Sequence, residues 1–172
     1  MIEESLETNR LIIKRTKKED TSFCIDMWLD DEMGKYLSDP PRNAAGDIYL
    51  KWRDNIEIYG GCYYFVAISK ESGEYIGACS AVPSEDKKHW DLGYSVHKKH
   101  WRQGYATEII RELINFCYIN GGRKITADVA KANVGSNSVL RKLNFHIEKE
   151  GTFKKSGTDI IYENYTYILD LK

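Results

Sequence analysis

Residues 89–117 read HWDLGYSVHKKHWRQGYATEIIRELINFC. In the first part Trp90, Leu92, Tyr94 and Val96 alternate with Asp91, Gly93, Ser95 and His97, the two-residue period of a strand with one apolar and one polar face. From Gly104 the period changes. Ala106, Ile109, Ile110, Leu113 and Cys117 fall at helical spacing, and Gly121-Gly122 supplies a stop. A strand therefore feeds a helix through a short polar loop. Such a helix start offers unpaired backbone N–H groups and the positive end of the helix dipole to an anion. Gly104 and Ala106 let an anion approach the backbone, and Lys98, Lys99, His100 and Arg102 add positive charge, so the loop suits a pyrophosphate. The same residues also suit a solvated basic loop whose glycine only starts a helix.

Working outward, RLIIKRT (Arg10–Thr16) reads as a strand, FCIDMWL (Phe23–Leu29) as a short helix, and about Asn43–Tyr59 as a second helix stopped by Gly60-Gly61. The apolar run Cys62–Ile68 reads as a buried strand. Turn chemistry in Ser69–Glu74 and again in Pro83–Lys88 makes Tyr75–Val82 and His89–His97 the next two members of an antiparallel meander. After the central helix come a strand at Arg123–Val129, a short helix carrying Val139, Leu140 and Leu143, and two strands at Phe145–Phe153 and Ile160–Leu171. The order β-α-α-β-β-β-α-β-α-β-β places antiparallel hairpins around one βαβ crossover. It predicts an α+β (mixed α/β layered) fold, a twisted and mostly antiparallel sheet flanked by helices, and not a doubly wound parallel one.

The chain has 172 residues, the size of one domain, so residues 1–172 read as a single unit. A hydrophobic fraction of 42% provides a core and excludes disorder. Lys and Arg total 25 against 26 Asp and Glu, so no global field favours nucleic acid or an anionic membrane as partner. No apolar run approaches the roughly 20 residues of a membrane span, and the acidic opening MIEESLE does not read as a signal peptide. Cys24, Cys62, Cys79 and Cys117 are scattered without a CxxC pair, against a zinc knuckle or a disulfide framework and in favour of a reducing, cytoplasmic setting. Cys117 falls on the apolar helix stripe and reads as core. His97 and His100 have no thiol or carboxylate cluster beside them, so no metal site is expected. Neither GxGxxG nor GxxxxGK[ST] occurs, which removes the Rossmann and P-loop readings.

The loop Trp101-Arg102-Gln103-Gly104-Tyr105-Ala106 resembles the coenzyme A pyrophosphate loop of the GNAT superfamily of N-acetyltransferases. GYATE and LGYSV are most similar to its RimJ/RimL-type branch, which acetylates protein N-termini and includes small-amine acetyltransferases. A second block agrees, since Asn133-x-x-Ser136-x-x-Val139-Leu140-x-Lys142-Leu143-Asn144-Phe145 resembles that branch's NxxSxxVLxKLGF, and TNRLIIKRTKKED is similar to its first strand and turn. The resemblance spans nearly the whole chain. Three positions depart from the pattern. Trp101 replaces a Gln or Arg, Asn144 replaces a Gly, and Leu140 stands where many members carry a tyrosine general acid.

Carried over residue by residue, the resemblance implies an N-acetyltransferase that moves the acetyl group of acetyl-CoA directly to a primary amine, as a monomer or homodimer. Val96, Arg102, Gln103, Gly104, Tyr105, Ala106, Thr107 and Asn133 would bind the cofactor, the Val96 N–H polarising the thioester carbonyl. Asp91 would remove the amine proton through water, and Ser136 would steady the leaving thiolate. The bland alternatives are a surface carboxylate at Asp91 and helix caps at Asn133 and Ser136. The acceptor would meet Trp28 and Tyr36, with Asp30, Asp31, Glu32, Tyr162, Tyr165 and Tyr167 available around them, a mixture suited to a cationic amine. The rival from another class is a catalytically idle acyl-CoA-binding or regulatory module of the same fold.

Overall fold

The computed structural model describes residues 5–58 and 60–172. In chain order its elements are β1 (Ser5–Glu7), β2 (Leu11–Arg15), α1 (Thr21–Trp28), α2 (Ile48–Asn55), β3 (Tyr63–Ser69), β4 (Tyr75–Pro83), β5 (His89–Val96), α3 (Tyr105–Ile119), β6 (Lys124–Ala130), α4 (Val134–Lys142), β7 (His146–Lys154) and β8 (Ile161–Asp170). The predicted order holds, with β1 added. That three-residue strand is too short to show a period, and it is recruited by pairing Leu6 with Ile13 on β2. The helix expected over 43–59 is shorter. Gly46 takes a left-handed φ of +58°, which breaks any helix begun at Asn43, and 3-10 turns at Arg42–Ala44 and Ile56–Ile58 flank the regular part. Its expected end at Tyr59, like the opening residues 1–4 of the acidic stretch, lies outside the described residues.

The strands form one eight-stranded sheet in the order β1-β2-β3-β4-β5-β6-β8-β7. Every neighbouring pair is antiparallel except β5 with β6, which α3 connects by a crossover. On one face of the sheet α3 buries Ile109, Ile110, Leu113, Phe116 and Cys117, the stripe read from the sequence. The Phe116 ring lies 5.4 Å from Phe65 and 5.7 Å from Trp90, and the Trp90 indole N–H donates to the Lys87 carbonyl at 2.8 Å. Burial pushes the Cys117 thiol up to about 12, so it is an inert core group. On the other face Cys24 and Met27 of α1 pack on Val66 and Ala78, with Trp28 and Trp52 beside them.

α1 starts from a buried charge. Asp20 is 1% exposed and accepts from the Lys14 Nζ at 2.7 and 2.9 Å, the Lys17 N–H at 2.9 Å and the Tyr75 hydroxyl at 2.6 Å. Burial alone would raise its carboxyl, but the bonds from Lys14, Tyr75 and Lys17 outweigh it and hold the group below the usual range. These bonds tie the start of α1 to β2 and β4, one on each side of β3.

A carboxyl lowered by folding stabilises above its unfolded pKa of about 3.9 and loses that contribution as pH falls through the lower folded value. Asp20→Asn is therefore expected to cost about 3 kcal/mol at pH 7, read from denaturant unfolding, by leaving Lys14 without its partner. The gap between wild type and variant should close below about pH 4.

Candidate active site

Pairing between β5 and β6 covers His89↔Lys124, Trp90↔Ile125 and Asp91↔Thr126, and then stops. Beyond it β5 stays with β4 as far as Gly77↔Val96, while β6 follows β8 as far as Ala130↔Asn164, so the two strands part and a gap opens between them. The His97 N–H donates to the Ile76 carbonyl on β4 at 2.8 Å. By antiparallel alternation the N–H and C=O of Val96 point the other way, into the gap. Trp101 reaches back to this point and donates its indole N–H to the Val96 carbonyl at 2.7 Å. The tryptophan that departs from the family pattern thus closes the loop onto the strand.

The loop ends at the start of α3, where Gly104 has φ +80° and Arg102 has φ +59°. Left-handed φ values at these two positions, two apart in the chain, turn it sharply into α3, whose first-turn N–H groups have no partner within the helix and suit an anion. Arg10 braces the turn from β2's leading edge. Its Nε meets Glu108 Oε2 at 2.7 Å, its Nη1 donates to the Gln103 carbonyl at 2.9 Å, and its guanidinium lies 4.0 Å from the Tyr105 ring centre. A groove of about 440 Å³ over this helix start is lined by Gly104, Thr107, Arg10, Arg111 and Lys142 among others. Glu108, paired with Arg10, and Glu112 also line it; the backbone donors of the helix start with Arg111 and Lys142 are the groups that would hold the phosphates of coenzyme A. Lys98 is not among the residues that line this groove; its ammonium pairs with Glu32 at 3.0 Å and lies 3.8 Å from Asp30.

A cavity of about 480 Å³ lies between the α1–α2 pair and β4–β5. Trp28, Tyr49 and Trp52 form its helical wall, with Trp28 and Trp52 edge to face at 5.0 Å. Ser80, Gly93, Tyr94 and Ser95 form its strand side, and Leu37 and Asp39 its rim. The Tyr49 hydroxyl donates to Asp39 Oδ1. The stretch that carries Asp39 is pinned from across the molecule. Lys155, in the β7–β8 turn and 8% exposed, donates to the carbonyls of Gly34 at 2.8 Å, Leu37 at 3.1 Å and Asp39 at 2.7 Å.

Of the acceptor residues expected from sequence, Trp28 lines this cavity and Tyr36 does not. Tyr36 stacks edge-on with Tyr162 at 5.7 Å, whose hydroxyl donates to the Lys35 carbonyl at 2.7 Å. Tyr167 is fully buried and donates to Asn137, and Tyr165 packs by Lys131. Asp30 and Glu32 face Lys98, and Asp31 is exposed. Asp39 and Tyr49 also line the cavity with no local sequence signal to mark them: Asp39 lies in an irregular loop, and Tyr49 in a helix whose Ile48 and Leu50 are exposed and form no buried stripe.

Asp91 stands at the foot of the gap. It accepts from Thr126 Oγ1 at 2.9 Å, and the Thr126 oxygen lies 3.0 Å from His89 Nε2, so His89 carries its proton on that nitrogen. Water reaches the Asp91 carboxylate, yet the protein packed around it raises the pKa, the Thr126 bond opposes that, and Asp128 adds repulsion. Asp91 is outside the cavity lining; Gly93, two residues along the same face and so about 7 Å away, is within it. At α4 the cap is Asn133, whose Oδ1 accepts from the Ser136 N–H at 3.3 Å, so Ser136 lies inside the first turn and is not itself the cap. The Tyr94 hydroxyl approaches the Ser136 carbonyl at 3.4 Å, and burial lifts its pKa to about 12, leaving a neutral donor. Leu140 is fully buried and offers no proton. Buried Asn137 completes the turn: it donates to the Ala130 and Asn133 carbonyls at 3.0 and 2.7 Å and accepts from Tyr167 at 2.6 Å.

Residues 10–146 match the acetyltransferase (GNAT) domain family. The uncharacterized N-acetyltransferase p20 of Bacillus licheniformis is 28% identical over 156 residues, 88% of this chain and 86% of that protein. The crystal structure of spermidine N-acetyltransferase from Vibrio cholerae, in complex with CoA and spermine, shares the fold with a TM-score of 0.81 at 13% identity, covering 95% of this chain and 96% of its own. The ribosomal-protein-S5-alanine acetyltransferase of Vibrio fischeri does so with a TM-score of 0.77 at 18% identity, covering 96% of each chain.

Lys155→Met should leave three loop carbonyls without their donor and lower stability by about 1–3 kcal/mol. Hydrogen exchange should quicken in residues 34–39 more than in the core strands, because the lost bonds all fall on that segment.

Proposed function

The chain belongs to the GNAT acetyltransferase family, and we propose that it transfers the acetyl group of acetyl-CoA directly to a primary amine bound in the cavity beneath α1 and α2. The observation that carries this reading is the parting of β5 from β6. It lets one strand present the Val96 backbone to the gap beside the α3 start while Gly93 and Ser95 of the same strand line the cavity. Donor and acceptor would then meet across β5. The motifs GYATE and Asn133-x-x-Ser136 favour the RimJ/RimL-like branch, and dependence on acetyl-CoA fits a cytoplasmic enzyme.

The backbone N–H groups of Gly104–Thr107, with Arg102 and Gln103 in the turn, would hold the pyrophosphate. Val96 N–H would donate to the thioester oxygen as negative charge builds there. The amine must lose a proton to attack, and Asp91 receives it through water, its raised pKa making it a better base than an ordinary aspartate. The C–N bond forms, the tetrahedral centre collapses and the C–S bond breaks. The thiolate takes a proton from Tyr94, which regains one from the acylated nitrogen, with Ser136 beside it and Asn133 shaping the α4 start. Net, one ammonium and one thioester give one amide, one thiol and one proton.

Coenzyme A at 100 times its dissociation constant should stabilise the protein by about 2.7 kcal/mol. Gly104→Val, which forces a branched side chain into φ +80°, should abolish that shift. Asp91→Asn should slow thiol release most near neutral pH and least at high pH, where the amine is already neutral, with little change in acetyl-CoA affinity. Coenzyme A binding without thiol release from any amine would instead identify an idle acyl-CoA-binding module.

A further inference from the structure

Resting on that transferase reading, we propose that the cavity selects a primary monoamine with an apolar body, and that Asp39 receives its ammonium group on entry, before that nitrogen gives up a proton through water to Asp91 and attacks. Asp39 is the one carboxylate among the described lining residues, and no lysine, arginine or histidine lines the cavity with it. Tyr49 occupies its Oδ1. Among the described residues no donor bonds Oδ2, and Asp39 forms no ion pair, because the Lys155 ammonium is spent on backbone carbonyls. Lys155, whose ammonium feels the Asp39 charge without bonding its carboxylate, offsets that charge only in part, and a lining carboxylate oxygen that accepts no bond is a receptor for one cation.

The rest of the wall states what is attached to that cation. Trp28, Trp52, Tyr64, Leu37 and Ile48 are apolar or aromatic, and indole faces also attract an ammonium ion. A second ammonium, as in a polyamine, would find indole faces on this wall but no second carboxylate among the described lining residues, and so would be held less well than the first. A peptide would strand its backbone amides there, since Ser80 and Ser95 are the only serine hydroxyls on the strand side. An alkyl or aralkyl chain loses nothing in the same place, and about 480 Å³ holds a compact body of that kind. The acidic residues near α1 do not change this account, because Asp30 and Glu32 are turned to Lys98.

The test uses the full chain, acetyl-CoA and four acceptors: hexylamine, 1,6-diaminohexane, an alanine-initiated tripeptide, and O-hexylhydroxylamine, which is neutral at pH 7. Expected is a kcat/KM for hexylamine at least about tenfold above that of the diamine or the peptide. Asp39→Asn should lower kcat/KM for hexylamine about 100-fold, mainly through KM, while changing that for O-hexylhydroxylamine by no more than about threefold. Preference for the diamine or peptide, or an equal loss for the charged and neutral acceptors, overturns the proposal. Binding is read separately from turnover by tryptophan emission, since Trp28 and Trp52 line the cavity. Absence of thiol release from every amine defeats the transferase reading. Absence of a saturable emission change with hexylamine, or one unaffected by Asp39→Asn, defeats this inference.

Discussion

β5 and β6 hold each other for three residue pairs and then separate. A sheet normally continues its ladder until a strand ends, because unpaired backbone N–H and C=O groups away from water are costly. Here each strand satisfies its outer side with another partner, β4 for β5 and β8 for β6, and the inner sides of Leu92–Val96 and Ala127–Ala130 are released. The released side of β5 carries the Val96 amide. Because α3 must cross from the end of β5 to the start of β6, its N-terminus is delivered to the same opening, so the anion-binding helix start and the free strand edge arise from one topological event.

The loops around the opening are fastened by charge. Arg10 and Glu108 lock the α3 start to β2, and burial, which would lift the Glu108 carboxyl, is outweighed by the bonds from Thr8 and Arg10 that hold it low. Lys98 ties the cofactor loop to the segment after α1 through Glu32, and the Lys98 N–H also meets the Met33 sulfur at 3.3 Å. Lys155 fastens the far end of that segment. The stretch from Asp30 to Asp39 is thus held between the cofactor loop and the last hairpin, which makes acceptor geometry dependent on elements remote in sequence. The exposed pair of Lys98 and Glu32 contributes little energy by itself; its role is positional.

Much of this arrangement is legible in the sequence. The switch from period two to period 3.6 at Gly104 locates the α3 start because β5 and α3 each have one apolar side, and the pattern records it. α2 is harder to read, since Ile48 is 62% and Leu50 49% exposed and its apolar residues do not mark a buried stripe. The partners of charged side chains are not legible. Lys98 reads as a phosphate ligand among four neighbouring cations, yet Glu32, 66 positions away, claims it. Asp39 carries no local pattern, and its place follows from Lys155, 116 positions distant. At α4 the sequence offers both Asn133 and Ser136 as caps, and the tertiary bonds of Asn137 select the register that leaves Ser136 inside the helix.

The central claim is that the α3 start and the Val96 amide together receive the thioester cofactor. Amide hydrogen exchange of the intact protein tests it most directly, measured alone, with coenzyme A and with acetyl-CoA. The account predicts slowed exchange in residues 104–107 with either ligand, and additional slowing at Val96 with acetyl-CoA, whose carbonyl oxygen gives that N–H an acceptor. Binding of both ligands with unchanged exchange at 104–107, or identical exchange at Val96 with and without the acetyl group, would contradict it.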